Sequence, residues 1–195
     1  MKFNNRQNRC ITVEGEEVWI SRSVTVLPVL IFVLDGLGNA LASGNLALSN
    51  AYVPLGQRGL DLPDEVGKWG LPGGYLDYDE TAGEAVQREI WEELGLNIPA
   101  LQAAHRFIGQ LDQPYFVSSQ PLRRQNVTLR FPLLFVLGPG ERLPQLDPQV
   151  GKGEVEQARW FGLAEALAMD LAFGHEVVMA DCLAGYFSDQ GIQLL

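Results

Sequence analysis

"GGYLDYDETAGEAVQREIWEELGL", residues 73–96, holds the densest pattern in the chain. It opens on a Gly-Gly turn and ends beside Gly95. Val86, Ile90 and Leu94 recur every fourth position, so at about 100° per residue they line one stripe of a helix. The spacing predicts a helix from about Thr81 to Leu94 with that stripe on the core. Asp79 or Thr81 caps its start, and Gly95 ends it as a C-terminal glycine. Glu89, Glu92 and Glu93 fall within about 100° of arc on a neighbouring face, which they share with the small Ala85.

Three carboxylates so close repel one another. A solvated acidic face is the plain explanation, because Glu is a good helix former. Two features argue for more. Glu92 and Glu93 lie in the last turn, where the helix dipole disfavours anions by about 0.3–1 kcal/mol each. The preceding Gly-Gly turn lets backbone carbonyls approach an ion closely. Oxygen ligands of this kind suit Mg²⁺, with Mn²⁺ as the alternative. A divalent cation would relieve the repulsion.

Outward from this segment, the chain reads as alternating apolar runs and turns. "VTVLPVLIFVL" at 24–34 is too short to cross a bilayer as a helix, which needs about 20 residues. It is β-branched and is read as a buried strand, with Pro28 at an edge or bulge. Residues 35–39, "DGLGN", are a turn, and "ALASGNLALSNAYV" is a second, interrupted strand. "PLGQRGLDLPDEVGK" at 54–68 reads as a loop from its Gly, Pro and charge. "KWGLPGGYL", "AAHRFIGQL", "NVTLRFPLLFVLG" and "EVEQARWFGL" read as strands. Two helical stretches lie near "LAEALAM" and "HEVVMADCLAGYF". Strands and helices mix without regular alternation, which predicts an α+β fold.

The 195 residues are 47% hydrophobic and 19% charged, a globular composition, with a net charge of -10. That charge argues against nucleic acid or an anionic membrane as partner. A polyphosphate ligand stays compatible, because a divalent cation can bridge two negative partners. Cys10 and Cys182 lack metal-site spacing and read as free thiols of a cytoplasmic protein. The N-terminus "MKFNNRQNRC" has no apolar core and is no signal peptide.

Gly74, five residues, Glu80, seven residues, and then Arg88-Glu89-Ile90-Trp91-Glu92-Glu93-Leu94-Gly95-Leu96 resembles the Nudix box at every fixed position. "KWGLPGG" before it and "EVEQARWFGL" after it also look like the family. The resemblance implies a Nudix-type α/β/α sandwich around a mixed β-sheet. It would span residues 19–195 as one domain with a C-terminal helix, after an extension at 1–18 that could join the sheet edge. It also implies metal-dependent hydrolysis of a pyrophosphate bond in a nucleoside diphosphate linked to another moiety, of the ADP-ribose, NDP-sugar or NTP class.

Carried over by the same resemblance, Glu92 and Glu93 are the main metal ligands. Glu89 is a further ligand or the base that orients water. The carbonyl of Gly73 or Gly74 joins the ion. Arg88 holds a neighbouring carboxylate in place, and Glu80 and Gly95 are structural. A fourth acid comes from a late loop, Glu154 in the first place with Glu156 as its rival. Outside the box, Arg22, Arg58, Tyr75 and His175 are candidates to touch substrate. Trp69, Phe116 and Arg130 are further candidates, although Trp69 reads better as core. His105 reads as packed or surface. A homodimer is the expected assembly. Two other classes compete: a nucleotide-sensing module without catalysis, and an isoprenyl diphosphate isomerase, whose cysteine and histidine pattern is missing here.

Overall fold

The apolar run at 24–34 lies within β3 (Ser23–Leu34), at the middle of a mixed sheet. The computed structural model describes residues 9–20, 23–35, 45–46, 48–121, 125–151 and 153–194. The remaining strands are β1 (Arg9–Val13), β2 (Glu16–Ile20), β4 (Asn45–Leu46), β5 (Ala51–Arg58), β6 (Trp69–Gly70), β7 (Arg106–Gly109), β8 (Phe116–Pro121), β9 (Gln125–Leu137), β10 (Val155–Gly162) and β11 (Gln193–Leu194). The helices are α1 (Ala82–Leu94), α2 (Ile98–Ala104), α3 (Leu163–Leu167) and α4 (His175–Cys182). Among the described residues seven strands make the main sheet, in the order β10-β5-β3-β9-β7, with β6 added to β5 and β8 to β9. β3 and β9 run parallel along the whole of β3, from Ser23↔Asn126 to Leu34↔Leu137.

A strand covered on both faces should be apolar, and β3 is apolar and buried from Val26 to Val33. Leu27, Val29, Ile31 and Val33 face a core shared with α3 and α4. Val26, Leu30 and Phe32 face the opposite core, shared with α1 and α2. The result is the expected α/β/α sandwich. Val86, Ile90 and Leu94 are fully buried in the second core, so the α1 stripe packs as its spacing predicts.

Several expectations are corrected. Residues 54–58 extend β5 instead of opening a loop, because they pair with β10 from Pro54↔Trp160 to Arg58↔Val155. The segment 98–104 is helix α2, started by an Asn97 cap on the Ala100 N–H, and the strand begins only at Arg106. β8 carries no alternation strong enough to be read in advance. Pro28 sits inside a central strand, paired with Phe131 of β9. It is tolerated because β5 meets β3 only at Phe32 and Val33, which leaves that edge of β3 unpaired by β5 at Pro28. β1 and β2 form a separate two-stranded hairpin and do not join the edge of the main sheet. The turn at 36–39 lies outside the described residues, as do residues 1–8 of the extension.

Candidate active site

α1 starts with a capping box. Glu84 N–H donates to Thr81 Oγ1 at 3.3 Å, and Thr81 N–H donates back to Glu84 Oε2 at 2.7 Å. Thr81, and not Asp79, is the cap. The helix stops at Gly95, which is left-handed at φ 72° and touches the Asp147 backbone so closely that a Cβ there would collide. These two ends fix which residues face the loop before the helix.

That loop leans on β3. Val26 N–H donates to the Gly74 carbonyl at 2.9 Å, and Leu76 N–H to the Val24 carbonyl at 2.9 Å. Gly73 has φ 146°, and a Cβ there would strike the Val26 carbonyl. A Cβ on Gly74 would strike the Glu89 carboxylate. Both glycines are required by close approach, one to backbone and the other to an acid of the box.

Arg88 is the hub of the cluster. Its Nε donates to Glu80 Oε2 at 3.1 Å and its Nη2 to Glu80 Oε1 at 2.8 Å, a bidentate pair. Nη2 also reaches the Tyr75 carbonyl at 2.9 Å. Nη1 donates to Glu89 Oε1 at 2.7 Å and to Glu92 Oε2 at 3.0 Å. The bonds from Glu80 lead the effects that raise the Arg88 pKa. The same bond holds the Glu80 carboxyl below its ordinary range.

Glu89 is buried, at 6% exposure, and burial pushes its pKa up against the pull of Arg88. Ala85, on the same face, is fully buried in the core. Glu93 accepts the Gly73 N–H at 3.1 Å. Its carboxyl is pushed up to about 8, first by burial and then by the charge of Glu89, with Glu154 adding to it. Glu154 precedes β10 and raises the pKa of both Glu89 and Glu93 through its charge.

One cleft joins the box to residues far from it in sequence. Arg58, Glu93, Glu154 and His175 line it, together with Gly70 and Leu71. His175 is buried, and its Nδ1 accepts the Leu71 N–H at 3.0 Å. Burial, then the charges of Arg58 and Arg130, lower its pKa to about 4, so the ring is neutral. Arg58 Nε donates to the Asp64 carbonyl at 3.0 Å, and burial leads the effects that lower its pKa.

Of the residues expected in the site, the structure brings Arg58, Glu93, Glu154 and His175 to the cleft, whereas Glu89 and Arg88 do not line it. Glu92 is turned toward Arg88. Tyr75 is exposed and does not line this cleft. Arg22 lies outside the described residues. Glu156 is an exposed residue at a register shift in β10. Arg130 pairs with Asp181 at 3.2 Å and lies over the Phe116 ring at 4.9 Å. Trp69 packs edge-on against Phe161, as its core reading predicts, and His105 pairs with Glu141 at 3.2 Å. Phe173, whose ring lies under Arg58 at 4.7 Å, has no signal in the sequence that would single it out.

The donor set suits a hard divalent cation. It offers carboxylate oxygens, and it holds two acids whose charged forms are penalised by burial and by each other. Among the described residues, no three acidic, His or Cys side chains converge on one point as they stand. Arg88 draws Glu89 and Glu92 to itself, while Gly73 holds Glu93. A cation would therefore compete with Arg88 for these oxygens.

The NUDIX domain profile matches residues 41–182, more than half of the chain, and the chain belongs to the Nudix family. A MutT-like protein of Streptomyces ambofaciens is 53% identical over 32 residues, which are 16% of this chain and 21% of that protein. The chain thus spans about a fifth of the length of that curated relative. Among solved structures, the NUDIX domain of Shewanella oneidensis NrtR complexed with ADP ribose aligns with a TM-score of 0.57 at 22% identity, covering 84% of this chain and 87% of that one. A bifunctional NMN adenylyltransferase/ADP ribose pyrophosphatase of Francisella tularensis has a TM-score of 0.57 at 20% identity, over 85% of this chain and 41% of that one. A NUDIX hydrolase of Nitrosomonas europaea has a TM-score of 0.53 at 20% identity, over 100% and 96%. These likenesses establish the fold.

Proposed function

We propose that the chain is a metal-dependent pyrophosphohydrolase that cleaves a nucleoside diphosphate linked to another moiety. One observation carries this reading: Glu93 and Glu154 share a cleft with Arg58, and on the same helix as Glu93 an Arg88 clamp holds Glu89 and Glu92. Acids and a guanidinium in one cleft suit a phosphate chain that arrives with its own counter-ion. Residues 19–195 are read as the single unit that does this.

When bound, Mg²⁺ or Mn²⁺ would neutralise phosphoryl oxygens and lower the pKa of a coordinated water. Glu92, Glu93 and Glu154 would hold it, with the Gly73 carbonyl preferred to that of Gly74, which already accepts the Val26 N–H. Glu89 supplies a further oxygen or the base that takes a proton from the attacking water. Arg88 positions Glu89 and Glu92. Arg58 receives a phosphate oxygen, where an oriented donor stabilises charge that grows in the transition state. His175 forms the neutral wall beside it.

ADP ribose and AMP appear with relatives of this fold, so nucleotides of the ADP-ribose class head the substrate panel. The second reading, a nucleotide-sensing module, is favoured by the likeness to NrtR alone. The test is a panel of ADP-ribose, NDP-sugars, NTPs and dinucleoside polyphosphates, each with Mg²⁺, with Mn²⁺ and with chelator. Metal-dependent release of a nucleoside monophosphate or pyrophosphate is expected. Tight binding with no turnover of any compound would transfer the case to the module.

A further inference from the structure

Phe173 combines two features that stability alone does not explain. It lies in the 3₁₀ turn Ala172–Gly174 with φ 56° and ψ 18°, a left-handed conformation that is a genuine outlier for a bulky aromatic residue. Its side chain is also wet: the residue is 51% exposed. A large ring gains little where it is both strained and half in solvent. Its neighbour Gly174, at φ 69°, continues the same left-handed path, and the two together turn the chain into α4.

The strained geometry places the ring against Arg58. The guanidinium carbon stands 4.7 Å from the ring centroid, within cation–π range. On the other side the ring tilts against His175, with centroids 5.8 Å apart. Arg58 has one further hydrogen bond, from Nε to the Asp64 carbonyl, and it feels the charges of Glu93, Asp64 and Glu65. Its Nη atoms make no hydrogen bond among the described residues, and the side chain lines the cleft with Glu93 and Glu154. A ring under the guanidinium carbon and a carbonyl at Nε leave the two Nη groups without a hydrogen bond among the described residues. Those groups carry two parallel donors, the geometry that matches a phosphate oxyanion.

We propose that Phe173 is a positioning residue for substrate phosphate: it holds the Arg58 guanidinium over its ring, so that the Nη groups meet a phosphate of a nucleoside diphosphate in the cleft. The proposal rests on the reading of this cleft as the nucleotide site. It adds a residue that touches no reacting atom and acts through Arg58.

The test is a calorimetric titration of α,β-methylene-ADP, which is not hydrolysed, into the protein with Mg²⁺. Phe173→Ala and Arg58→Ala should each weaken binding about tenfold, a size within reach of a desolvated cation–π contact and a charge-assisted bond. Phe173→Tyr keeps the ring and should bind within about twofold of wild type. The double variant should bind no more weakly than Arg58→Ala alone, because both changes remove one interaction. Phe173→Gly removes the strained side chain. It should melt at or above the wild-type temperature and still lose affinity, which a structural role would not produce. Wild-type affinity in Phe173→Ala, losses that add fully in the double variant, or no binding by wild type would each overturn the proposal. Turnover of ADP-ribose is assayed separately. It can fail, and take the hydrolase reading with it, while the Phe173-dependent affinity still stands.

Discussion

Arg88 grips Glu80 with two parallel hydrogen bonds, Nε to Oε2 at 3.1 Å and Nη2 to Oε1 at 2.8 Å. The pair joins the loop before α1 to the middle of the helix, and Glu80 also accepts the Asp77 N–H at 2.7 Å. Glu80 is therefore distant from any chemistry yet decides where Arg88 points. Glu80→Ala should free Arg88 to close on Glu89 and Glu92, and so weaken cation binding and activity by about 10–100-fold. Titration of Mn²⁺ followed by electron paramagnetic resonance, with kcat at saturating metal, checks this. An unchanged affinity would mean that Arg88 is held by its other partners.

The two glycines should separate by what they touch. Gly73→Ala sets a Cβ against the Val26 carbonyl, in backbone that cannot yield, at a φ of 146° that L residues rarely adopt. Its cost should appear as stability, lowering the urea midpoint. Gly74→Ala sets a Cβ against the Glu89 carboxylate, which can swing away. Its cost should appear as activity, with kcat reduced and the urea midpoint close to wild type. Denaturation and kinetics on both variants decide the assignment.

The box and its helix are legible in the sequence because they are local. Val86, Ile90 and Leu94 state their face by spacing, and Thr81, Glu84 and Gly95 state where the helix begins and ends. The core reading of β3 is legible for the same reason, an unbroken apolar run. The end of β5 is hidden because Pro54, Gly56 and the charged Arg58 have loop composition, and only pairing with β10 makes them a strand. Asn97 and Pro99 are helix-start signals for α2, but its seven residues show too little periodicity to outweigh the strand pattern that begins at Arg106. The far wall of the cleft is the least legible part. Leu71 and His175 are 104 positions apart, and no spacing rule connects them. His175 stands out as a candidate in the sequence, but its role as acceptor for the Leu71 N–H exists only in the fold.

His175 should make stability depend on pH. Its folded pKa is lowered to about 4 from 6.5, so the unfolded chain binds the proton more readily. The stability it supports is complete above 6.5, is lost as pH falls from 6.5 toward 4, and is level below that. The full swing is up to about 3 kcal/mol for a shift of this size. His175→Asn keeps an acceptor for the Leu71 N–H and does not titrate. In metal-free protein, urea midpoints at several pH values between about 7.5 and 4 should show wild type losing stability relative to the variant as acid is added. Parallel curves would contradict the neutral, buried assignment.

Glu154 and Glu156 are two residues apart, but they meet different surroundings. Glu154 lines the cleft and raises the pKa of Glu89 and Glu93 by its charge. Glu156 sits at the register shift between Val155 and Gln157; both acids are exposed, but Glu156 does not line the cleft. The shift falls after Val155, which is buried, while Glu154 precedes the strand on the cleft. Glu154→Gln removes one charge from the cleft without changing its shape. It should lower kcat/KM at least about tenfold and raise the Mg²⁺ concentration needed for half-maximal rate. Glu156→Gln should alter neither by more than about twofold, because Glu156 is exposed and away from the cleft. A loss confined to Glu156→Gln would move the fourth acid two positions along, and equal losses in both variants would deny Glu154 a distinct role; either would require the cleft to be redrawn around the bulge.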